Sequence, residues 1–366
     1  MTAPPPETAA VPVSQTMKSA LARLTKGDAL TAAEVEAVFA PMMDGAADAL
    51  QISALLALLA MRPATVEELF GVATVMRRHV LPIAAPENVI DTCGTGGVGS
   101  QLFNVSTTSA IVAAACGVPV AKHGNRGFTS VSGSSNFLEA LGVTLQVDPD
   151  AQARSLREAN ICFAFAALHH PAMRHVAHVR QALGFATIFN LMGPLTNPAG
   201  ARRQLVGAGS RQLAETLLQT LVRLGAVRVM VVSGADNNGR PICELSTAGP
   251  TDVALYDDGE IKTFRLMPDD VGLEMADIAA LTVDGPVASA EMARGVLAGQ
   301  KGPARDIVLL NSGAALWVGA LADNIGQGAQ KAAAAIDSGA AAETLHKWIT
   351  ISGGGDAPAA KSVTGL

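Results

Sequence analysis

Charge is scarce in this chain of 366 residues: charged side chains make up 16%, the formal net charge is −6 and the pI is near 5.7. A nucleic-acid groove wants a basic face, so that class of function is disfavoured. Cysteine is sparse too. Cys93, Cys116, Cys162 and Cys243 show no C-x-x-C spacing, and three of them lie in apolar runs or at a strand end. They read as small core residues in a reduced compartment. Long apolar runs are also missing, since the most apolar stretch, Ala49 to Met61, contains Gln51 and Ser53 and is too short to span a bilayer. The Pro/Ala-rich start, Met1 to Gln15, has neither a basic beginning nor a long apolar centre. With Thr16 it reads as a disordered tail over residues 1–16, not a signal peptide. What remains is a globular, well-buried cytoplasmic chain, outside membranes, with length for about two domains.

The first of these, over residues 17–85, is helical throughout. Thr31 stands three residues before Glu34, the capping-box spacing, and Thr65 starts another helix with Glu67 and Glu68 in its first turn. Between them, Leu50, Ile52, Leu55, Leu56, Leu58 and Leu59 make an apolar surface broader than one side of a small helical unit needs. From Glu87 the pattern changes to alternating strands and helices. Apolar runs at Val118–Ala121, Val143–Val147, Ile161–Ala166, Gln204–Ala208 and Val227–Ser233 read as strands. The fold class is therefore α/β: a small N-terminal helical domain, then a large doubly wound, mostly parallel sheet domain over residues 86–366. Val253–Tyr256 and Ile261–Phe264, joined through Asp258-Gly259, read as a late hairpin. Ala288 to Ile351 is Ala/Leu-rich and helical.

One stretch carries chemistry. The β-branched run Val89 to Thr92 stops at Gly94, Gly96, Gly97 and Gly99, followed by Asn104, Ser106, Thr107 and Thr108 and a small-residue helix. Glycines let consecutive N–H groups point into one concavity, and a helix start adds free donors and partial positive charge. An anion fits there, most naturally a phosphate or pyrophosphate. No lysine follows the glycines, which removes the Walker pattern. Gly94, Gly96 and Gly99 have dinucleotide-fold spacing, but the acidic residue due some 20 positions on is missing. Downstream, the apolar run Val118–Ala121 ends in Lys122-His123-Gly124-Asn125-Arg126, then Ser130, Ser132, Gly133, Ser134 and Ser135. Lys122 offers a point charge for phosphate, and His123 and Asn125 can donate hydrogen bonds to a second substrate.

These motifs, with His169-His170-Pro171-Ala172-Met173 and Thr187-Ile188-Phe189-Asn190 leading into Gly193-Pro194-Leu195-Thr196-Asn197-Pro198-Ala199, resemble the anthranilate phosphoribosyltransferase family over nearly the whole chain. A looser resemblance to pyrimidine-nucleoside phosphorylases covers only the glycine loop and fold. The transferase resemblance implies transfer of phosphoribose from 5-phosphoribosyl pyrophosphate (PRPP) to the amino group of anthranilate, in tryptophan biosynthesis. It implies PRPP binding by Gly94, Thr95, Gly96, Gly97, Asn104, Ser106, Thr107, Lys122 and Ser134. Anthranilate would meet His123, Asn125, Arg180 and Pro194, and Mg²⁺ would be held by Ser106 and Glu244. It also implies a homodimer through the helical domain. The 168–200 segment would pack on that domain, with Asn190 and Gly193-Pro194 shaping a hinge. No covalent nucleophile is needed.

Three positions depart from the family pattern: Val98 replaces the Asp of GTGGDG, Ala186 replaces an Arg, and Cys243-Glu244-Leu245-Ser246 replaces Asp-Glu-Ile-Ser. They keep two alternatives open, a paralogue with another aromatic amine acceptor and a weakly active or non-catalytic member that binds ligands or nucleic acid. Asp236 is a candidate substitute for the missing carboxylate. His169, His170, His175 and His178 have packing roles in this reading, since no cysteine or carboxylate sits at ligand spacing beside them.

Overall fold

The computed structural model describes residues 12–96, 99, 101–125, 132–145 and 147–355. In chain order these form α1 (Val13–Leu24), α2 (Ala32–Met43), α3 (Ala49–Ala60), α4 (Val66–Arg78), β1 (Ile90–Gly94), α5 (Val105–Ala115), β2 (Val120–Gly124), α6 (Ser134–Leu141), α7 (Pro149–Ala159), β3 (Ile161–Phe165), α8 (Ala166–His169) and α9 (Arg174–Leu183). There follow β4 (Arg203–Gly207), α10 (Arg211–Arg223), β5 (Arg228–Ala235), β6 (Pro241–Ile242), β7 (Thr251–Asp257), β8 (Glu260–Leu266), α11 (Pro286–Leu297), α12 (Pro303–Val318), α13 (Ile325–Asp337) and α14 (Ala340–Ile351).

The chain divides into two compact units, one comprising the described residues up to His79 with Pro171–Phe189, the other Val80–His170 with the described residues from Asn190 onward. In the helical unit both expected caps are present: Thr31 and Glu34 form a capping box on α2, and Thr65 and Glu68 form one on α4. Glu68 is fully buried, yet Arg62 (2.5 Å) and the Leu30 N–H compensate it. Burial works to raise its pKa, but these bonds win and hold the carboxyl below the ordinary range. Ile52, Leu55, Leu56 and Leu59 of α3 join the buried set, whereas Leu50 is 81% exposed. Two boundaries differ from the sequence reading. Val13–Thr16 already belong to α1 and are not part of a disordered tail, while residues 1–11 lie outside the described set. The helical unit ends at His79 instead of residue 85, because the next residues bond into the sheet unit: Leu81 N–H to the His169 carbonyl (2.8 Å) and Ile83 N–H to the Pro198 carbonyl (3.1 Å).

The second unit is built on one sheet, ordered β3-β2-β1-β4-β5-β7-β8, with β6 paired to β5. β1 to β5 run parallel, and β7 and β8 add antiparallel strands at one edge. The parallel strands are buried on both faces, so they appear in the sequence as continuous apolar runs. The expected hairpin is β7–β8, with Asp258 and Gly259 both at positive φ, as a two-residue turn matching strand twist requires. The expected strand at Val143–Val147 does not form among the described residues. Val143 and Leu145 are buried in the core, but the Thr144 N–H goes to the Ser352 hydroxyl (3.1 Å) instead of a neighbouring strand. α12 runs through the core with nearly every residue covered, and packs on α5 and α13.

Candidate active site

Parallel α/β sheets present ligands at the carboxyl ends of their strands, and here those ends carry the glycine and lysine motifs. β1 ends at Gly94, and the Thr95 N–H extends the ladder by one bond to the Gly207 carbonyl (2.9 Å). Gly96 then turns with φ +62, a left-handed conformation that favours glycine. Gly207 is required for another reason: a Cβ there would run into the Cys243 backbone. Gly97 and Val98 lie outside the described residues, as does Arg126.

Lys122 projects from β2 and is 1% exposed. Its Nζ donates to the Thr92 carbonyl and to the Ser106 hydroxyl (3.3 Å), joining the ends of β1 and β2 to the first turn of α5. Burial pulls its pKa down, and the negative charges of Asp91 and Glu244 oppose that. The Glu244 carboxyl lies beside Ser106 and Lys122: burial raises its pKa to about 7, and the Lys122 charge and the neighbouring Ser106 donors act against the rise. Ser106 and Glu244 are therefore adjacent hard oxygen donors beside a buried cation, a set that suits Mg²⁺. Cys243 does not extend it. Its thiol is pushed up to about 12 by burial and points at the Gly96 carbonyl (3.7 Å). Asp236, the candidate substitute for the missing carboxylate, uses Oδ1 to accept the N–H groups of Asn238 and Arg240, both at 2.8 Å.

The remaining candidates fall into different settings. Asn104 is pinned: Nδ2 donates to the Ser132 carbonyl (3.1 Å), and Oδ1 accepts from the hydroxyls of Ser132 (2.6 Å) and Ser289 (2.9 Å). Thr107 is fully buried, and its hydroxyl has no partner. Ser134 opens α6 and lies against Gly124, at the end of β2. His123 is buried, with Nδ1 donating to the Gly193 carbonyl (2.7 Å), so its Nε2 is the acceptor for the Nε2–H of His170 (3.2 Å). The same bond places Pro194 next to β2, and the Pro194 carbonyl accepts from Gln204 (2.7 Å). Asn125 is exposed just past β2. Arg180 sits on α9 in the helical unit, its guanidinium 5.5 Å from the centre of the Phe189 ring. Among the described residues no three His, Cys, Asp or Glu gather as a metal cluster. His169 instead bridges the Leu81 carbonyl (2.6 Å) and Gln152 (2.7 Å).

Sequence reading missed Asp91 and Asn197. Asp91 is wholly buried and accepts the His123 N–H (3.0 Å) and Asn197 Nδ2 (2.8 Å). Asn197 Nδ2 also donates to the Ala121 carbonyl (2.8 Å). An acidic residue inside an otherwise apolar strand is a sequence signal for such a lock, because an uncompensated buried carboxylate is costly.

This arrangement, a helical bundle with a parallel sheet unit whose strand ends collect glycines, hydroxyls, a lysine and a glutamate, defines a member of the glycosyl transferase family. Residues 18–80 match its model described as "helical bundle domain", and residues 86–342 match the one described as "a/b domain". More narrowly, the chain belongs to the anthranilate phosphoribosyltransferase family. It is 47% identical over 332 residues to the enzyme of that name from Methylobacterium radiotolerans, covering 91% of this chain and 95% of the relative. The Thermus thermophilus anthranilate phosphoribosyltransferase structure is similar at TM-score 0.84 and 38% identity, covering 91% of this chain and 99% of that one. The Saccharomyces cerevisiae structure, in complex with PRPP and Mg, is similar at TM-score 0.81 and 26% identity, covering 93% and 98%.

Proposed function

We propose that this chain transfers the phosphoribosyl group of PRPP to the amino group of anthranilate and releases pyrophosphate. The observation that carries the reading is the Lys122–Ser106–Glu244 cluster at the ends of β1 and β2, a buried ammonium joined to hard oxygen donors beneath a glycine turn. Displacement at C1 of the ribose builds positive charge on the ring and negative charge on the leaving group. Positioning and fixed electrostatics therefore lower the barrier without a covalent nucleophile.

In this scheme the turn at Gly94–Gly96 and the hydroxyls at the start of α5 receive the pyrophosphate. Lys122 sets a positive charge below it, and Ser134 faces the ribose phosphate side. Ser106 and Glu244 would hold Mg²⁺, which when bound offsets pyrophosphate charge and eases its departure. The acceptor lies against the end of β2, where Asn125 reaches the surface and His123 is fixed in one tautomer by Gly193. Both ring nitrogens of His123 are already bonded, Nδ1–H to Gly193 and Nε2 to His170, so it contributes a fixed neutral ring and not a proton acceptor. We further propose that the protein works in the cytoplasm as a homodimer through its helical unit. No helix among the described residues is long and apolar enough to cross a membrane.

The test is optical. Anthranilate fluorescence should decay when PRPP, Mg²⁺ and the protein are all present and stay constant when any one is omitted. A constant trace with all three, at high protein concentration, overturns the reading.

A further inference from the structure

Asn311 lies in the middle of α12, fully buried on a helix whose other covered residues are mostly Ile, Val, Leu, Ala and Gly. Asparagine is a poor helix-interior residue, and burying an amide is costly unless its bonds are made. Here they are made, and to one place. Oδ1 accepts the Leu245 backbone N–H (3.0 Å), and Nδ2 donates to the Leu245 carbonyl (2.9 Å) and to the Ile307 carbonyl one turn back (2.9 Å). Residues 243–246 belong to no strand, so the side chain of Asn311 supplies the two bonds a neighbouring strand would give Leu245. The next residue is tied as well: the Ser246 N–H donates to the Thr251 hydroxyl (2.9 Å), and the Ser246 hydroxyl donates to the Ala235 carbonyl (2.7 Å). One residue upstream of this clamp is Glu244, whose carboxyl lies in the neighbourhood of Ser106 and Lys122.

We propose that Asn311 is a positioning residue that fixes the Leu245 backbone, aims Glu244 at Ser106, and thereby sets how strongly Mg²⁺ tightens the binding of a diphosphate. The inference rests on the reading of Glu244 as a Mg²⁺ holder, and the test separates the two. Calorimetry on the full chain measures the dissociation constant of inorganic pyrophosphate with and without excess Mg²⁺, and the ratio is the readout. Glu244→Gln should lower the ratio about tenfold, and Asn311→Leu, which has nearly the same volume and no bonds to give, should lower it by a similar factor. The double variant should fall no further than Glu244→Gln alone, because both changes remove one arrangement. Ser312→Ala, next to it in the helix and losing a buried hydroxyl that has no partner, should keep the parental ratio. If Asn311→Leu does not fold, Asn311→Ala reads the same quantity. A parental ratio in the Asn311 variant beside a lowered one in Glu244→Gln overturns the inference alone, as does a double variant whose losses multiply. A parental ratio in Glu244→Gln removes the metal reading, and this inference with it.

Discussion

At the scale of single residues, the cluster around Lys122 is an arrangement in which no member is stable alone. A buried ammonium is unfavourable unless it is bonded and faced by negative charge, and Thr92, Ser106, Asp91 and Glu244 meet both conditions. Lys122→Met removes the charge and keeps most of the volume. Pyrophosphate affinity should then fall roughly ten- to hundredfold, the worth of a charge-assisted bond. The thermal midpoint should fall as well, since Asp91, Glu244 and the Thr92 carbonyl lose the buried cation that faces them. Calorimetry and a melting curve on the same sample check both halves, and undiminished affinity would place the anion elsewhere. Lys122 and Ser106 were legible because the sequence groups each with other polar residues after an apolar run, whereas Glu244, between Cys243 and Leu245, was reached only through the family resemblance. Asp91, Asn197 and Asn311 were not legible, since their partners lie far off in the chain: Asn197 bonds Asp91 across 106 positions, and Asn311 bonds Leu245 across 66. Composition and spacing carry no record of such distant pairs.

At the scale of elements, strands β1 to β5 were legible because parallel strands are apolar on both faces, and the β7–β8 hairpin because Asp-Gly dictates its turn. The same logic misread Val143–Val147, since an apolar run reports burial and not pairing. α3 shows a subtler limit. Its pattern announced more apolar surface than one face needs, and Ile52, Leu55, Leu56 and Leu59 do turn inward. Leu50 and Ala54 remain exposed, as does Met61, the residue capping the helix, which is 83% open. These three positions, spaced by four and seven, share one side of the helix. An apolar stripe of this kind is the expected centre of the proposed interface between copies. Leu50→Glu with Met61→Glu should shift sedimentation from dimer to monomer, weakening association by about a hundredfold or more while each monomer keeps its helical signal. A parent that already sediments as a monomer would remove the proposal.

At the scale of the whole molecule, acid should unfold this protein earlier than its carboxylates alone would dictate. His170 is buried against His123, and burial, with the neighbouring imidazoles, lowers its pKa from 6.5 to about 3. Burial lowers His123 as well, with Asp91 and the Gly193 bond opposing. Both rings are neutral in the folded state at neutral pH. In the unfolded chain a histidine takes up its proton near pH 6.5, so below that pH the unfolded state binds more protons than the folded one. Stability therefore falls as pH drops through 6.5 and continues to fall until the folded ring itself titrates, near 3 for His170. The carboxyls held below their ordinary range, Glu68 in the helical unit and Asp337 (about 2), lose their contribution only once pH falls below the usual carboxylate values. Between pH 6.5 and 5 the histidine loss is opposed by Glu244, whose pKa of about 7 lets the folded state keep a proton the unfolded chain has lost, so the histidine share is read as the difference between parent and a His170 variant. In urea denaturation the His170 share, parent minus variant, should be a loss on the order of 1–2 kcal/mol across that interval. His170→Asn, which cannot take up the proton, should start from lower stability and lose correspondingly less over the same interval. If parent and variant lose the same amount between pH 6.5 and 5, the His123–His170 pair is not what makes this fold acid-sensitive.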